Sequence, residues 1–192
     1  MNRYALHLNL PITKLFVNDD WKNKIPKKGH FPIPMNMIEP LLVDFFESHG
    51  LTLKNADVFI SPPGFRLPIH VDGETMSDSV AINWEFCDEK GAFMEWWNPK
   101  EPKKISISAP GTGKDTYPIS TTPYALNWKD EECDKLYSSE IKFPTMVNIG
   151  IPHSMTNATS STRYAVSLTW FDYFGNNVEW DYAIKRLQSF IS

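Results

Sequence analysis

The sequence predicts a mainly β protein, and three observations support this prediction. Aromatic residues make up 14% of the chain, with 7 Trp, and there are 15 Pro, a composition that favours strands and turns over long helices. Short runs of β-forming residues recur between turn residues along the middle of the chain. Only two segments carry apolar residues at helical spacing. We therefore expect a β-sandwich or barrel with a few helices on an outer face.

The length and composition of the chain fit one soluble domain. The 192 residues are 42% hydrophobic and 22% charged, which is ordinary for a globular protein of one domain. The chain contains no internal repeat and no low-complexity tract. We therefore expect a single domain over residues 1–192, with its barrel core at about residues 57–174.

Two helices are predicted, one on each side of the β-rich region. The first covers residues 37–49, where apolar side chains recur every three or four positions and Gly50 follows as a stop signal. The second covers residues 178–191, after a Gly-Asn-Asn turn. Both are short enough to pack across one face of a sheet.

Seven short runs are predicted to be strands. Each is rich in β-branched or aromatic residues and is bounded by turn residues. The stretch 110–139 interrupts their regular spacing with a Gly-Thr-Gly-Lys turn and an acidic run, and we expect a long loop over the barrel mouth there. The predicted strands are residues 57–61, 65–71, 79–87, 92–97, 104–108, 146–151 and 163–174.

Charge and cysteine content argue against several classes of protein. The formal net charge is −4 and the basic residues are scattered, so we expect no nucleic-acid partner. Cys87 and Cys133 match no zinc spacing and are too few for a disulfide scaffold. The N-terminal segment has no apolar run long enough for a signal peptide or a membrane span. We therefore expect a cytoplasmic protein without a membrane partner, in which the sequon at Asn157 is not used.

The motif that carries chemistry is His70-Val71-Asp72, at the end of a predicted strand. Residues two apart in a strand point to the same face, so His70 and Asp72 project together. His153 follows a β-rich run that breaks at Pro152, and we expect it to approach from another strand. Two imidazoles and one carboxylate would then form the facial triad of non-haem Fe(II) sites, which leaves coordination positions open. Zinc could bind the same groups.

An arginine is predicted to face the same site. The polar run 157–162 is typical of a turn, and a hairpin centred on Ala158 would place Arg163 opposite His153. Fe(II) held by one carboxylate and two neutral imidazoles would carry one net positive charge. A bound 2-oxoacid dicarboxylate would change this to one net negative charge, so the carboxylate of that ligand that lies farther from the metal needs a cation. The guanidinium fork of Arg163 suits a planar carboxylate. Two further candidates for the pocket are Ser167, on the same strand face, and Asn83, within an apolar run.

These segments resemble the 2-oxoglutarate and Fe(II)-dependent oxygenases, which are built on the double-stranded β-helix, a jelly-roll or cupin-like barrel. The resemblance covers about residues 57–174. LPIHVDG resembles the family's His-x-Asp strand end, VAINWEF the strand after it, and NIGIPHSMTNATSSTRYAVSL the distal-His strand with the cosubstrate-binding arginine. The His-Ser-Met-Thr-Asn block is similar to the aspartyl/asparaginyl hydroxylase-like branch. One departure is Ala165, because some branches place Ser two residues after the arginine.

The resemblance implies a cofactor, a cosubstrate and a reaction. Fe(II) would be held by His70, Asp72 and His153, and the distal carboxylate of 2-oxoglutarate would be bound by Arg163. The expected reaction is hydroxylation of a small-molecule or amino-acid side-chain substrate, with succinate and CO₂ as co-products. Halogenating members lack the carboxylate ligand, so the presence of Asp72 favours hydroxylation.

Two other functions are compatible with the same residues. The first is a metal-dependent cupin-type enzyme that uses no 2-oxoglutarate, although such sites usually contain a His-x-His core. The second is a non-catalytic jelly-roll binding module that recognises sugar or protein through its loops and aromatic residues. On a purely structural interpretation, His70 and Asp72 would only form a turn at the strand end and Asn83 would be a hydrogen-bonded core amide. The remaining histidines have no partner at ligand spacing and are interpreted as structural or solvated: His7, His30 and His49.

Overall fold

The structure, a computed structural model, contains two antiparallel sheets and few helices, which confirms a mainly β fold. It describes residues 2–26, 29–72, 79–87, 89–101, 127–141 and 144–192. The strands are β1 (Ala5–His7), β2 (Gly29–Pro32), β3 (Thr52–Ser61), β4 (Arg66–His70), β5 (Val80–Phe86), β6 (Ala92–Pro99), β7 (Asn127–Trp128), β8 (Cys133–Glu140), β9 (Thr145–Asn148), β10 (His153–Asn157) and β11 (Arg163–Phe171). The six-stranded sheet has the order β1-β9-β5-β11-β3-β2, and the five-stranded sheet has the order β7-β4-β10-β6-β8.

Both predicted helices are present, with shorter bounds than predicted. Helix α1 (Pro40–Ser48) begins at a proline, whose missing N–H has no partner to lose in the first turn. Gly50, two residues after its last residue, terminates the helix, because a φ of +77° lets the Leu51 N–H donate to the carbonyl of Phe46 at 3.0 Å. Helix α2 (Trp180–Leu187) continues into a 3₁₀ turn. Other 3₁₀ turns cover Trp21–Lys24, Met35–Met37 and Asp130–Glu132. Among the described residues, no helix is long and apolar enough to cross a membrane.

The main hydrophobic core lies between the six-stranded sheet and the helices. Alternate residues of β11 point to this side, and burial of each such large side chain stabilises the fold by about 1.5–3 kcal/mol. The helices cover this face of the six-stranded sheet, so its opposite face lines the space between the two sheets. The β11, α1 and α2 members of this core are Val166, Leu168, Trp170, Leu42, Phe46, Trp180, Ala183 and Leu187.

The space between the sheets contains a smaller apolar cluster and then polar side chains. Ala81 of β5 packs with Met94 and Trp96 of β6, which shows that the odd-numbered residues of β5 face the five-stranded sheet. The Asn83 amide accordingly donates to the Met94 sulfur at 3.6 Å. The same alternation in β11 turns Arg163 away from the helices. The polar residues named from the sequence therefore share one interior.

The predicted strands are found with shifted bounds, except 104–108, which lies outside the described residues. The loop predicted at 110–139 lies partly outside them as well, and it is wrong for the described part, which contains β7 and β8. Strand β8 pairs along β6 from Phe93↔Glu140 to Pro99↔Cys133. It is the edge strand of its sheet and most of its side chains are not buried, so it lacks the hydrophobic alternation by which strands are predicted.

Asn157 joins the end of β10 to β3 and to the start of β11. Its side chain is fully buried. The Asn157 Nδ2 donates to the carbonyl oxygens of Ser61 at 2.9 Å, Pro62 at 3.1 Å and Ser161 at 2.9 Å. Its Oδ1 accepts from the backbone N–H of Thr159 at 3.1 Å and from the Thr159 hydroxyl at 2.7 Å. This network fixes the path of the chain from one sheet to the other.

We expect Asn157→Ala to lower the free energy of unfolding by about 2–4 kcal/mol, because it leaves several buried backbone groups without a partner. Urea denaturation measures the change. Asn55→Ala is the matched control, since Asn55 is exposed on β3 and a substitution there should stay within about 0.5 kcal/mol. Equal losses in the two variants would contradict a structural role for the Asn157 network.

Candidate metal centre

The structure brings the three predicted ligands together. One ligand atom from each of His70, Asp72 and His153 lies within 4.8 Å of the others. The His70 Nε2 is 3.4 Å from Asp72 Oδ1, and the His153 Nε2 is 3.9 Å from Asp72 Oδ2. The two imidazole centroids are 4.5 Å apart. Both imidazoles therefore present the same nitrogen to one carboxylate.

Strand pairing explains why these side chains meet. His70 ends β4 and His153 begins β10, and the two residues are direct partners in the antiparallel pair. Side chains of direct partners lie on the same face with their Cβ atoms about 4.5–5.5 Å apart. Asp72 follows two residues after His70, and its N–H donates to the carbonyl of Ile149 at 3.0 Å. That bond holds the chain beyond β4 close to the start of β10.

Backbone carbonyls fix the orientation of both imidazoles. The His70 Nδ1 lies 2.8 Å from the carbonyl oxygen of Pro68, and the His153 Nδ1 lies 2.9 Å from that of Ile151. A carbonyl only accepts hydrogen bonds, so each Nδ1 carries the proton and each Nε2 carries the free lone pair. In metal sites, a hydrogen bond from the second ring nitrogen to a backbone carbonyl commonly orients a metal-binding histidine in this way.

Burial and charge set the protonation of the cluster. His70 and His153 are 3% and 4% exposed, whereas the Asp72 side chain is 30% exposed. Burial, together with the neighbouring His70, lowers the pKa of His153 to about 4. Burial would by itself raise the pKa of Asp72, but the side-chain contact with His70 and the neighbouring imidazoles of His153 and His30 bring that pKa below its usual value. The ligands are a neutral His153 and an anionic Asp72 beside His70.

The lowered pKa of His153 predicts a loss of stability in acid. An unfolded chain takes up this proton near pH 6.5 and the folded chain near pH 4, so the unfolded state binds more protons between these values. The free energy of unfolding of the metal-free protein should therefore fall as the pH decreases from 6.5 towards 4, by on the order of 3 kcal/mol. Urea denaturation across this range measures the slope. His153→Gln should remove most of the slope, and an unchanged slope would assign it to other groups.

Arg163 lies in the other sheet from His153, so the predicted hairpin is wrong. Strand β10 pairs with β4 and β6, whereas β11 pairs with β3 and β5. Arg163 is the partner of Ser61, not of His153. The reason is the Asn157 network, which bonds the end of β10 to the carbonyl of Ser61 and directs the following residues across to the six-stranded sheet. The arginine reaches the interior from the opposite sheet.

Arg163 forms a buried ion pair that the sequence did not predict. Its Nε lies 3.0 Å from the Glu85 Oε2, and the two side chains are 2% and 6% exposed. The contact has the distance of an ion pair without the alignment of a hydrogen bond. Among the described residues, none accepts a hydrogen bond from the Arg163 Nη atoms. The sequence signal for Glu85 is its position two residues after Asn83, on the same face of β5.

Asn83 and Ser167 face each other across β5 and β11. The Asn83 side chain is buried, and its Oδ1 has no hydrogen-bond partner among the described residues. Neither side chain has a hydrogen bond or an ion pair to the three clustered ligands within the described part of the chain. Both lie on the interior face that also carries Arg163, so the structure groups them with the arginine rather than with the metal ligands.

The sequence matches no family model and no curated protein. Function is therefore inferred from the donor set and from the arrangement of the strands. Two imidazoles and a carboxylate suit non-haem Fe(II), and zinc accepts the same ligands. The tautomers and the anionic carboxylate fit a divalent cation, because both His Nε2 atoms carry lone pairs and lie within 4.8 Å of an Asp72 oxygen.

Proposed function

We propose that the protein is an Fe(II)- and 2-oxoglutarate-dependent oxygenase that hydroxylates its substrate and releases succinate and CO₂. The observation that carries this proposal is the cluster of His70, Asp72 and His153, whose ligand atoms lie within 4.8 Å of one another. Three protein ligands on one side of an ion leave its other positions open, as a bidentate 2-oxoacid requires. When bound, Fe(II) with 2-oxoglutarate would supply the oxidation of an unreactive C–H bond.

The order of the strands supports a double-stranded β-helix. In chain order, β3, β4, β5 and β6 alternate between the six-stranded and five-stranded sheets, and β8, β9, β10 and β11 alternate again. This alternation is how a jelly roll winds its two sheets. We propose that the two sheets form this fold, with the proposed metal ligands on the five-stranded sheet and the proposed cosubstrate-binding arginine on the six-stranded sheet.

The interior supplies groups suited to a dicarboxylate. Arg163 is a buried cation with its Nη atoms open, and a fork of two N–H donors matches a planar carboxylate. Asn83 and Ser167 add an amide and a hydroxyl on the same face. We propose that these three residues bind the distal carboxylate. Glu85 would then share the guanidinium with the cosubstrate.

Each metal-binding side chain has a separate task in this proposal. His70 and His153 would hold the ion through Nε2 while their Nδ1–H groups stay bonded to backbone carbonyls. Asp72 would lower the net charge of the ion and lies on the more exposed side of the cluster. Trp96, which is the strand partner of His153, is fully buried on the same face of the sheet.

The Arg163–Glu85 pair favours a second candidate, a metal-dependent enzyme that uses no 2-oxoglutarate. Glu85 already neutralises the charge of Arg163 at 3.0 Å. A dicarboxylate entering this interior would therefore meet one cation and one anion rather than an unpaired cation. In this candidate the pair would have only a structural role.

Thermal-shift titration tests both candidates. A ligand that binds only the folded state raises the melting temperature, and the shift grows with the logarithm of the ligand concentration once that concentration exceeds Kd. We expect Mn(II) to stabilise the protein and 2-oxoglutarate to add a further shift only when Mn(II) is present. Stabilisation by Mn(II) alone would favour the second candidate, and no shift with either would indicate a binding module. Succinate release that requires both Fe(II) and 2-oxoglutarate then tests the reaction directly.

A further inference from the structure

A second polar pair, His30 and Asp57, lies in the same interior. The His30 Nε2 is 3.1 Å from the Asp57 Oδ1, and the two side chains are 20% and 25% exposed. The imidazole stacks on the Phe59 ring, with centroids 4.3 Å apart and an interplanar angle of 4°. The stacking on Phe59 and the contact with Asp57 together restrict the orientation of the His30 ring.

Strand alternation shows which way this pair faces. In the β2–β3 pairing, His30 is opposite Phe59 and Phe31 is opposite Val58. Phe31 and Val58 belong to the core on the helix side. Adjacent residues of a strand point to opposite faces, so His30 and Asp57 face the five-stranded sheet, which carries the metal ligands.

The contact with Asp57 leaves one nitrogen of His30 open. The Nε2 is buried and directed to Asp57, although the pair lacks the alignment of a hydrogen bond. A carboxylate only accepts hydrogen bonds, so it favours the tautomer in which Nε2 carries the proton. The lone pair is then on Nδ1, for which no donor is found among the described residues. His30 therefore has a second ring nitrogen that is available to accept a hydrogen bond.

We propose that His30 positions the substrate by accepting a hydrogen bond at Nδ1, and that Asp57 holds the ring in the accepting tautomer. This inference rests on the proposed function and defines the substrate class. The substrate would carry a hydroxyl, amide N–H or amine donor near the carbon that is oxidised. A substrate without a donor would leave Nδ1 desolvated and unpaired, which disfavours its binding.

The tautomer can be measured without any ligand. Nitrogen chemical shifts from long-range ¹H–¹⁵N NMR distinguish a protonated from an unprotonated imidazole nitrogen. We expect His30 to carry its proton on Nε2, and Asp57→Ala to shift it towards a mixture of tautomers. A proton on Nδ1 in the wild-type protein would overturn the proposal.

Matched fragments test substrate recognition. The probes are small alcohols and amines, each paired with its O-methyl or N,N,N-trimethylammonium derivative, and their proton relaxation is measured with the protein loaded with Mn(II) and 2-oxoglutarate. One hydrogen bond of ordinary strength predicts that the donor member binds about five- to tenfold more tightly. His30→Phe, which keeps a ring on Phe59, should reduce this preference to below about twofold. Wild-type protein that prefers no donor fragment, or a preference that persists in His30→Phe, would overturn the proposal.

A control variant and the titration of the cosubstrate separate the two proposals. His49 also lies against an aromatic ring, 4.5 Å from Phe45, but it follows helix α1 on the other side of the sheet. His49→Phe should leave the donor preference unchanged. If 2-oxoglutarate fails to stabilise the Mn(II)-loaded protein, the proposed oxygenase function fails, while the tautomer of His30 still tests the positioning pair by itself.

Discussion

Asp72→Asn is expected to abolish tight binding of Fe(II) and Mn(II) while leaving the protein folded. Asp72 is the one anion of the cluster, and without it two neutral imidazoles would have to hold a dication. Substitution of residues that only support ligands lowers metal affinity by about 10- to 100-fold, so loss of a charged ligand should lower it by at least about 100-fold. Isothermal titration with Mn(II), in parallel with urea denaturation of the metal-free protein, measures affinity and stability separately.

Asp172→Asn is the matched control for this experiment. Asp172 is also a carboxylate with a lowered pKa, but the cause is a turn in which it accepts the backbone N–H groups of Phe174 and Asn176. It lies after β11, away from the clustered ligands, and its substitution should leave Mn(II) affinity unchanged. An Asp72→Asn protein that binds Mn(II) as tightly as the wild type would show that the cluster is not a metal site.

The part of the site that the sequence predicted depends on local geometry. His70 and Asp72 share a face because a strand alternates with period two, and this holds whatever the strand pairs with. Arg163 was predicted to face the interior by a hairpin, which depends on which strands pair. That choice is made by long-range contacts, among them the bonds from Asn157 to Ser61 and Pro62. The predicted pairing of Arg163 with His153 is therefore wrong, although the Arg163 side chain is buried in the interior.

For the fold as well, features set by local backbone geometry were predicted and features set by long-range contacts were not. The bounds of α1 were close to those predicted because Pro40 and Gly50 act through their own backbone conformations. Strand β8 was missed because an edge strand with mainly exposed side chains has no hydrophobic alternation to detect. Glu85 and His30 were missed for a third reason: their partners, Arg163 and Asp57, are identified only once the register of the sheet is known.

Arg163→Met is expected to have two large effects, one on stability and one on ligand binding. The variant leaves Glu85 buried without its cation, and breaking a buried ion pair from one side costs about 3–5 kcal/mol. It also removes the donors proposed for the distal carboxylate of 2-oxoglutarate. Unfolding in urea measures the first effect, and titration of the Mn(II)-loaded protein with 2-oxoglutarate measures the second. A stability loss of this size could itself prevent binding, so the single variant does not separate the two roles.

The double variant Arg163→Met with Glu85→Gln separates them, because it removes the stranded charge together with the guanidinium. We expect it to recover most of the lost stability, since replacing both members of a buried pair is far less costly than removing one, and still to bind 2-oxoglutarate at least about 10-fold more weakly than the wild type. Glu85→Gln alone should bind the dicarboxylate more tightly, because the remaining cation no longer shares its charge with a neighbouring anion. If the double variant binds 2-oxoglutarate as the wild type does, Arg163 serves only to neutralise Glu85, and the cosubstrate, if used, is held by other groups.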